Sequence, residues 1–309
     1  MIESLLLLIA GVVLAWFGGE IFVRGGVNLA LCARWPTAVI GVTVAAFGTS
    51  SPEFMVAVNA SLDGTPQLSL GDVLGSNVVN VSLVLAIVLA LSGMKATDKG
   101  VRRDWWMALV APILLYAVLW DGWFSRLDAG LVLAAFSGWL LMVVRHARAH
   151  AASQTEATVC PPFSQSIIFL MIGLGLLIGA AQFVVSGGKG IALALGWSPF
   201  VVGAVVVAIA TSTPELATTL IARMRGHDDV GLGNILGSNI FNVLLVASVT
   251  ALIRPYPIHL PELQTSLIFG FVTVLIIYPG RNGHLGRARG FVLLAIYACY
   301  IGMTLHQDS

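Results

Sequence analysis

Apolar residues run through this chain in long blocks, broken by short polar segments. The blocks are roughly 20 residues or longer, and they predict about ten helical spans, at 4–30, 36–62, 69–93, 104–121, 127–145, 164–193, 198–223, 231–253, 263–279 and 288–305. Runs of that length suit helices that cross about 30 Å of hydrocarbon. Outer-membrane strands would instead read as segments of about ten residues with alternating polarity, and the blocks do not alternate. The opening MIESLLLLIAGVV has no basic segment ahead of its apolar run, which continues too far for a cleaved signal, so it reads as the first span. The expected fold class is an all-α polytopic membrane protein.

The blocks also repeat. GVTVAAFGTSSPE from Gly41 lies over GAVVVAIATSTPE from Gly203, and GDVLGSNVVNV from Gly71 over GNILGSNIFNV from Gly233, without a gap. Trp35 pairs with Trp197, and Gly25–Gly26 with Gly187–Gly188, at the same spacing. The chain therefore divides into a first five-helix repeat (1–146), a polar linker (147–163) and a second five-helix repeat (164–309). Five is odd, so the second copy enters the membrane from the opposite face. With the N-terminus outside, the inner loops and helix ends carry Arg24, Arg34, Lys95, Lys99, Arg102, Arg103, Arg145, Arg148, Arg223, Arg225, Arg281, Arg287 and Arg289. The outer side holds only Arg126, Lys189 and Arg254. That bias obeys the positive-inside rule and predicts both termini outside a cell (inner) membrane, with the linker in the cytoplasm. Inverted repeats with broken helices are the pattern of secondary transporters, whose sites lie near the bilayer midplane.

Composition agrees: 58% of residues are hydrophobic and 10% charged, and a net charge of +1 gives no reason to expect nucleic-acid binding. Cys32, Cys160 and Cys299 lack CxxC spacing. Against that background TSSPE (Thr49–Glu53) and TSTPE (Thr211–Glu215) stand out, each inside an apolar run. A mid-bilayer charge costs about 2.5–3.5 kcal/mol on insertion scales. A proline there also removes a backbone hydrogen bond that lipid cannot replace. Pro52 takes a partner from the Gly48 carbonyl and Pro214 from that of Ala210, and each break should loosen the carbonyls of Ala46 and Ala208. Around the breaks Thr49, Ser50 and Glu53, and Thr211, Ser212 and Glu215, share a helix face. In the following spans Ser76 and Asn80 lie one turn apart, as do Ser238 and Asn242. These are hard oxygen donors, suited to Ca²⁺ and Na⁺. Two glutamates balance one Ca²⁺, and with no His or Cys among them zinc and copper are disfavoured.

Taken together, G-T-S-S-P-E with G-D-V-L-G-S-N, repeated as A-T-S-T-P-E with G-N-I-L-G-S-N-I-F-N, resembles the two α-repeats of the sodium/calcium exchanger family of cation/calcium antiporters. The likeness spans nearly the whole chain and is close to the short bacterial members. It implies that the first and sixth spans slide across a fixed core of eight. It also implies ion ligation by Thr49, Ser50, Glu53, Ser76, Asn80, Thr211, Ser212, Glu215, Ser238 and Asn242, with the carbonyls of Ala46 and Ala208, and a third Na⁺. The transported ions are then Ca²⁺ and Na⁺, with the bilayer around them, no cofactor, no catalytic residues and no protein partner to be inferred. A neutral Asn242, where potassium-dependent members carry an acid, argues for K⁺ independence. A third sodium without a matching counter-charge predicts electrogenic exchange. Ala210 replaces a usual Gly. Asp72 replaces a usual Asn and lies one turn before Ser76, as an extra charge at an entrance or as a neutral acid.

Two rivals differ in chemistry. A proton-coupled Ca²⁺ antiporter would use the glutamates but needs no hydroxyl cage. An intramembrane hydrolase with Ser50 or Ser212 as nucleophile would need a base within reach, and the predicted spans contain no His. Glu20 lies in the first span opposite Gln182, with a packing or gating role as open as ligation. Asn77 and Asn239 point about 100° away from their serine neighbours, which suits helix packing. His146 and His150 have an i,i+4 metal spacing but are expected in a flexible basic linker, which disfavours a metal site, and Trp105, Trp106, Trp120 and Trp123 are expected as interfacial anchors.

Overall fold

Hydrocarbon offers no partner for a backbone N–H or C=O, so apolar runs must pair their own backbone as helix. The computed structural model describes residues 2–33, 35, 37–96, 99–153, 162–192, 199–280 and 282–306. Trp197, Cys160, Arg34, Arg281 and linker residues 154–161 lie outside the described residues. The first run is the single helix α1 (Ile2–Ala33). The second is broken into α2 (Thr37–Ile40), a π-helical stretch Gly41–Ala45, α3 (Ala46–Thr49) and α4 (Ser51–Leu62). Next come α5 (Pro66–Val79), a π-helical stretch Asn80–Leu85 and α6 (Ala86–Ser92), continuous with one another. β1 (Met94–Lys95), α7 (Lys99–Val118), β2 (Trp123–Phe124) and α8 (Arg126–Ser153) complete the first half.

The second half follows the same order. It comprises α9 (Phe163–Ala192), α10 (Pro199–Val201), a π-helical stretch Val202–Val207, α11 (Ala208–Thr211) and α12 (Thr213–Met224). Then come α13 (Asp228–Phe241), a π-helical stretch Asn242–Val246, α14 (Ala247–Ile253), β3 (Tyr256–Pro257), α15 (Leu260–Ile276), β4 (His284–Leu285) and α16 (Arg287–His306). Six helical stretches among the described residues are long and apolar enough to cross a membrane. A seventh results when Gly203–Thr211 and Thr213–Met224, bent by 44°, are counted as one. The expected spans 36–62, 104–121 and 263–279 fall short for separate reasons. The first is broken at Ser50, α7 begins with Lys99, Arg102, Arg103 and Asp104, and the apolar part of α15 is shorter.

The proline breaks are local. Ser50 (φ −83°, ψ 10°) and Ser212 (φ −77°, ψ 4°) leave helical geometry, since the ring two residues on cannot continue the preceding helix. Each break is bridged: Ser50 N–H donates to Ala46 O and Ser212 N–H to Ala208 O, both at 3.0 Å. The carbonyls of Ala46 and Ala208, expected to loosen, thus keep a helical partner, and those of Gly48 and Ala210 also accept a backbone N–H.

The continuous rods α5–α6 and α13–α14 form the buried centre, while α8, α9 and α16 turn most of their surface outward. The halves interlock through contacts of backbone on backbone. A Cβ on Gly75 would fall 2.6 Å from Ala204 Cα, and one on Gly237 would fall 2.6 Å from Val42 O. Asn77 Nδ2 donates to Asn239 O (3.0 Å) while Asn239 Nδ2 donates to Asn77 O (3.2 Å), across a separation of 162 residues. Two short antiparallel ladders also join the halves, β1 with β4 and β2 with β3. The long helices α1 and α9 pack on each other; a Cβ on Gly173 would meet the Phe22 backbone at 2.6 Å.

Several expectations shift here. α8 runs on to Ser153, so His146 and His150 lie on a helix. Trp105 is buried and donates from Nε1 to Val274 O at 2.7 Å, which makes it a core residue, whereas Trp106, Trp120 and Trp123 are exposed.

Candidate functional site

The two broken rods meet the two central rods in the middle of the molecule, and there the sequence-selected polar residues gather. Thr49, Ser50, Glu53, Ser76, Asn80, Thr211, Ser212, Glu215, Ser238 and Asn242 are all buried, as are Ala46 and Ala208. α5 packs on the Val202–Val207 stretch and α11, and α13 on the Gly41–Ala45 stretch and α3, so each half supplies one wall to the other's broken rod. Small residues at Gly75, Gly237 and Ala204 permit that approach.

The hydrogen bonds run between the halves. Ser50 Oγ donates to Glu215 Oε1 at 3.0 Å, and Ser238 Oγ donates to the same oxygen at 3.1 Å. Thr49 Oγ1 donates to Asn234 Oδ1 at 3.0 Å and lies 3.5 Å from Ser238 Oγ. Thr211 Oγ1 lies 3.0 Å from both Asp72 Oδ1 and Val207 O. Ser76 Oγ is 3.4 Å from Asp72 Oδ1 and 3.3 Å from Thr211 Oγ1. Asn80 Nδ2 donates to Asn239 Oδ1 at 3.1 Å. Asn77 and Asn239, expected as packing residues, do bind one another across the centre.

Against these bonds stands a set of buried oxygens with no hydrogen-bond partner among the described residues. They are both carboxylate oxygens of Glu53, Oε2 of Glu215, Ser212 Oγ, Asn80 Oδ1 and Asn242 Oδ1. Buried polar atoms are normally paired, and each lapse costs about 1–3 kcal/mol. A hard cation would satisfy such a set, because Ca²⁺ draws six to eight oxygen ligands from carboxylates, carbonyls and amides. No group of three or more His, Cys, Asp or Glu among the described residues is arranged to hold a metal ion, so hydroxyls, amides and carbonyls would make up much of any shell.

Several residues are placed differently from expectation, or more firmly. Asp72 is fully buried beside Thr211 and Ser76, which removes the entrance reading. Glu20 pairs with Arg24 at 2.6 Å and with Arg225 beyond the end of α12, an ion-paired role that ties α1 to the core. Gln182, its counterpart, faces outward. Asn234 and Thr219 extend the polar set, with Asn234 Nδ2 donating to Thr219 Oγ1 at 3.4 Å. The sequence signal for Asp72 and Asn234 was their place one turn before Ser76 and Ser238.

A family model described as sodium/calcium exchanger protein matches residues 3–145 and 165–305. An uncharacterized membrane protein of Methanocaldococcus jannaschii is 33% identical over 93% of both chains. Inner membrane protein YrbG of Escherichia coli is 29% identical over 98% of this chain and 97% of its own. The structure of a sodium/calcium exchanger from Methanococcus jannaschii superposes with a TM-score of 0.80 at 30% identity, covering 97% of this chain and 98% of that one.

Proposed function

The chain belongs to the sodium/calcium exchanger protein family, and from that premise we propose that it exchanges Ca²⁺ for Na⁺ across the inner membrane by alternating access. One observation carries the proposal: Glu53 holds two buried carboxylate oxygens with no hydrogen-bond partner among the described residues, in the same buried polar cluster as Glu215 from the other half. Glu53 and Glu215 would neutralise one Ca²⁺ or two Na⁺. Thr49, Ser50, Ser76, Asn80, Thr211, Ser212, Ser238, Asn242 and the carbonyls of Ala46 and Ala208 would complete the shells.

In this scheme ten spans form two inverted five-helix repeats, 1–146 and 164–309, joined by a cytoplasmic linker at 147–163, with both termini outside. The continuation of α8 to Ser153 would carry the first repeat's last helix into the cytoplasm. The matched order of elements, the crossed ladders β1–β4 and β2–β3 and the reciprocal Asn77–Asn239 bonds support two such halves. The name of the Escherichia coli relative supports the inner membrane. α1 and α9 would slide across the remaining helices, breaking the Glu20–Arg225 pair in each cycle. The cluster of hydroxyls favours Na⁺ over H⁺ as the counter-ion, since a proton needs no oxygen cage. A neutral Asn242 favours K⁺ independence.

The test is Ca²⁺ uptake by purified protein in sodium-loaded vesicles, repeated with choline inside, with a pH gradient alone, and with K⁺ omitted from both sides. Uptake that needs internal Na⁺ and ignores K⁺ is expected. Equal uptake driven by the pH gradient would assign the glutamates to proton coupling instead.

A further inference from the structure

The two halves of the site are not equivalent, and the difference begins at one residue. In the second half Ser238 donates to Glu215, as Ser50 does from across the interface. The matching donors for Glu53 would be Ser76 and Ser212, yet Glu53 receives neither, and Ser212 Oγ has no partner among the described residues. Ser76 turns instead toward Asp72 Oδ1, which also accepts from Thr211. At the position matching Asp72 the second half has Asn234, whose Oδ1 takes the Thr49 hydroxyl and whose Nδ2 reaches Thr219.

The neighbours agree with this exchange of acid for amide. By the same 162-residue correspondence, Thr219 matches Ala57, a buried residue with no side-chain acceptor. An amide at 72 would bury an N–H₂ that Ala57, unlike Thr219 in the second half, could not receive, whereas a carboxylate, which only accepts, fits beside an alanine. Resting on the exchange reading above, we propose that Asp72 is a positioning residue: it holds the Ser76 and Thr211 hydroxyls and so keeps Glu53 open to the incoming cation. A hydroxyl has one proton and two lone pairs. With Asp72 accepting from both, neither hydroxyl must donate to the other or to Glu53, and their lone pairs stay available. Glu215, already held by two hydroxyls, is the fixed carboxylate of the pair, and Glu53 is the free one.

The test uses the full-length protein in vesicles, with three variants: D72N, D72N/A57T, and the swap D72N/A57T/N234D/T219A. The double variant copies the second half's own Asn–Thr arrangement into the first half, so its hydrogen bonds have a built template and folding is protected. In it Ser76 is released to Glu53, a bond that a cation must then displace. The apparent KM for Ca²⁺ is expected to rise about tenfold with the maximal rate within about threefold, as loss of one hydrogen-bond preference at a charged group implies. D72N alone, with its orphaned N–H₂, should raise KM at least as far. The swap moves the acid to the other half and should bring KM back to within about threefold of the parent. A parent-like KM in D72N/A57T, or a folded swap that does not recover, overturns the positioning role. Failure of the parent itself to exchange Ca²⁺ for Na⁺ would instead sink the exchange reading, and the inference with it.

Discussion

Glu53 and Glu215 share a residue type, a local motif and full burial, yet differ in company. Glu215 Oε1 takes two hydroxyl protons at 3.0 and 3.1 Å, while Glu53 has no donor among the described residues. Glu53→Gln removes an uncompensated buried charge and should therefore stabilise the ion-free protein, while Ca²⁺ transport falls to background. Thermal unfolding in detergent should show the variant's midpoint above the parent's without Ca²⁺. Saturating Ca²⁺ should raise the parent alone, since a ligand at about 100 times Kd adds about 2.7 kcal/mol. A parent-like response of E53Q to Ca²⁺ would remove Glu53 from the site. Glu215→Gln should also abolish transport but gain less stability, because two hydroxyls already hold one oxygen of its carboxylate. Much at this scale was legible in the chain: a buried charge beside proline and hydroxyls, present twice, admits few purely structural explanations. The inward position of Asp72 was not legible, because it depends on a Thr from the other half 139 residues away. Nor was the burial of Trp105, whose N–H is taken by a carbonyl on α15.

Among the elements, the broken rods could be read from proline, but the π-helical stretches could not. Gly41–Ala45, Asn80–Leu85, Val202–Val207 and Asn242–Val246 lie beside the site, at matching places in the two halves. A π turn is rare and often marks a functional position, yet its apolar pattern differs too little from the 3.6-residue period to be seen in so short a window. The close-packed glycines were legible as residues; the element each one meets was not. Gly75 rests on the Ala204 backbone and Gly237 on that of Val42, with no flexible side chain between to yield. Gly75→Ala must push α5 away from the Val202–Val207 stretch and separate the walls of the site. Such a variant should lose its monodisperse peak in size-exclusion chromatography, whereas Gly138→Ala, where a Cβ meets nothing within 4 Å, should elute like the parent. Equal behaviour of the two would refute the close approach.

For the molecule as a whole, the proposed exchange with a third Na⁺ held by neutral amides would leave the sodium-loaded carrier one charge above the calcium-loaded one. Each cycle should then move one net charge, worth about 2.3 kcal/mol per 100 mV. With the potential set by valinomycin at fixed Na⁺ gradient, the final Ca²⁺ ratio should shift by about fiftyfold per 100 mV. A ratio indifferent to voltage would mean neutral coupling and two sodium ions. The duplication behind this cycle was plain in the chain, because a gapless register survives in sequence; the way the halves cross was not, since spacing within one half says nothing about the other. That crossing has a consequence for how the protein is made. Synthesis delivers the first half to the membrane before the second exists. Until α11, α12 and α13 emerge, Glu53, Asp72 and Asn77 have none of their cross-half neighbours, and Met94 and Phe124 have no strand to pair with. The nascent chain must wait, partly built, with its polar centre shielded by lipid alone or by the insertion machinery. Released early at residue 153, it should be degraded. Supplied together with a separately translated 154–309 segment, it should persist in the membrane and regain Ca²⁺ uptake, measurable by pulse-chase and vesicle flux.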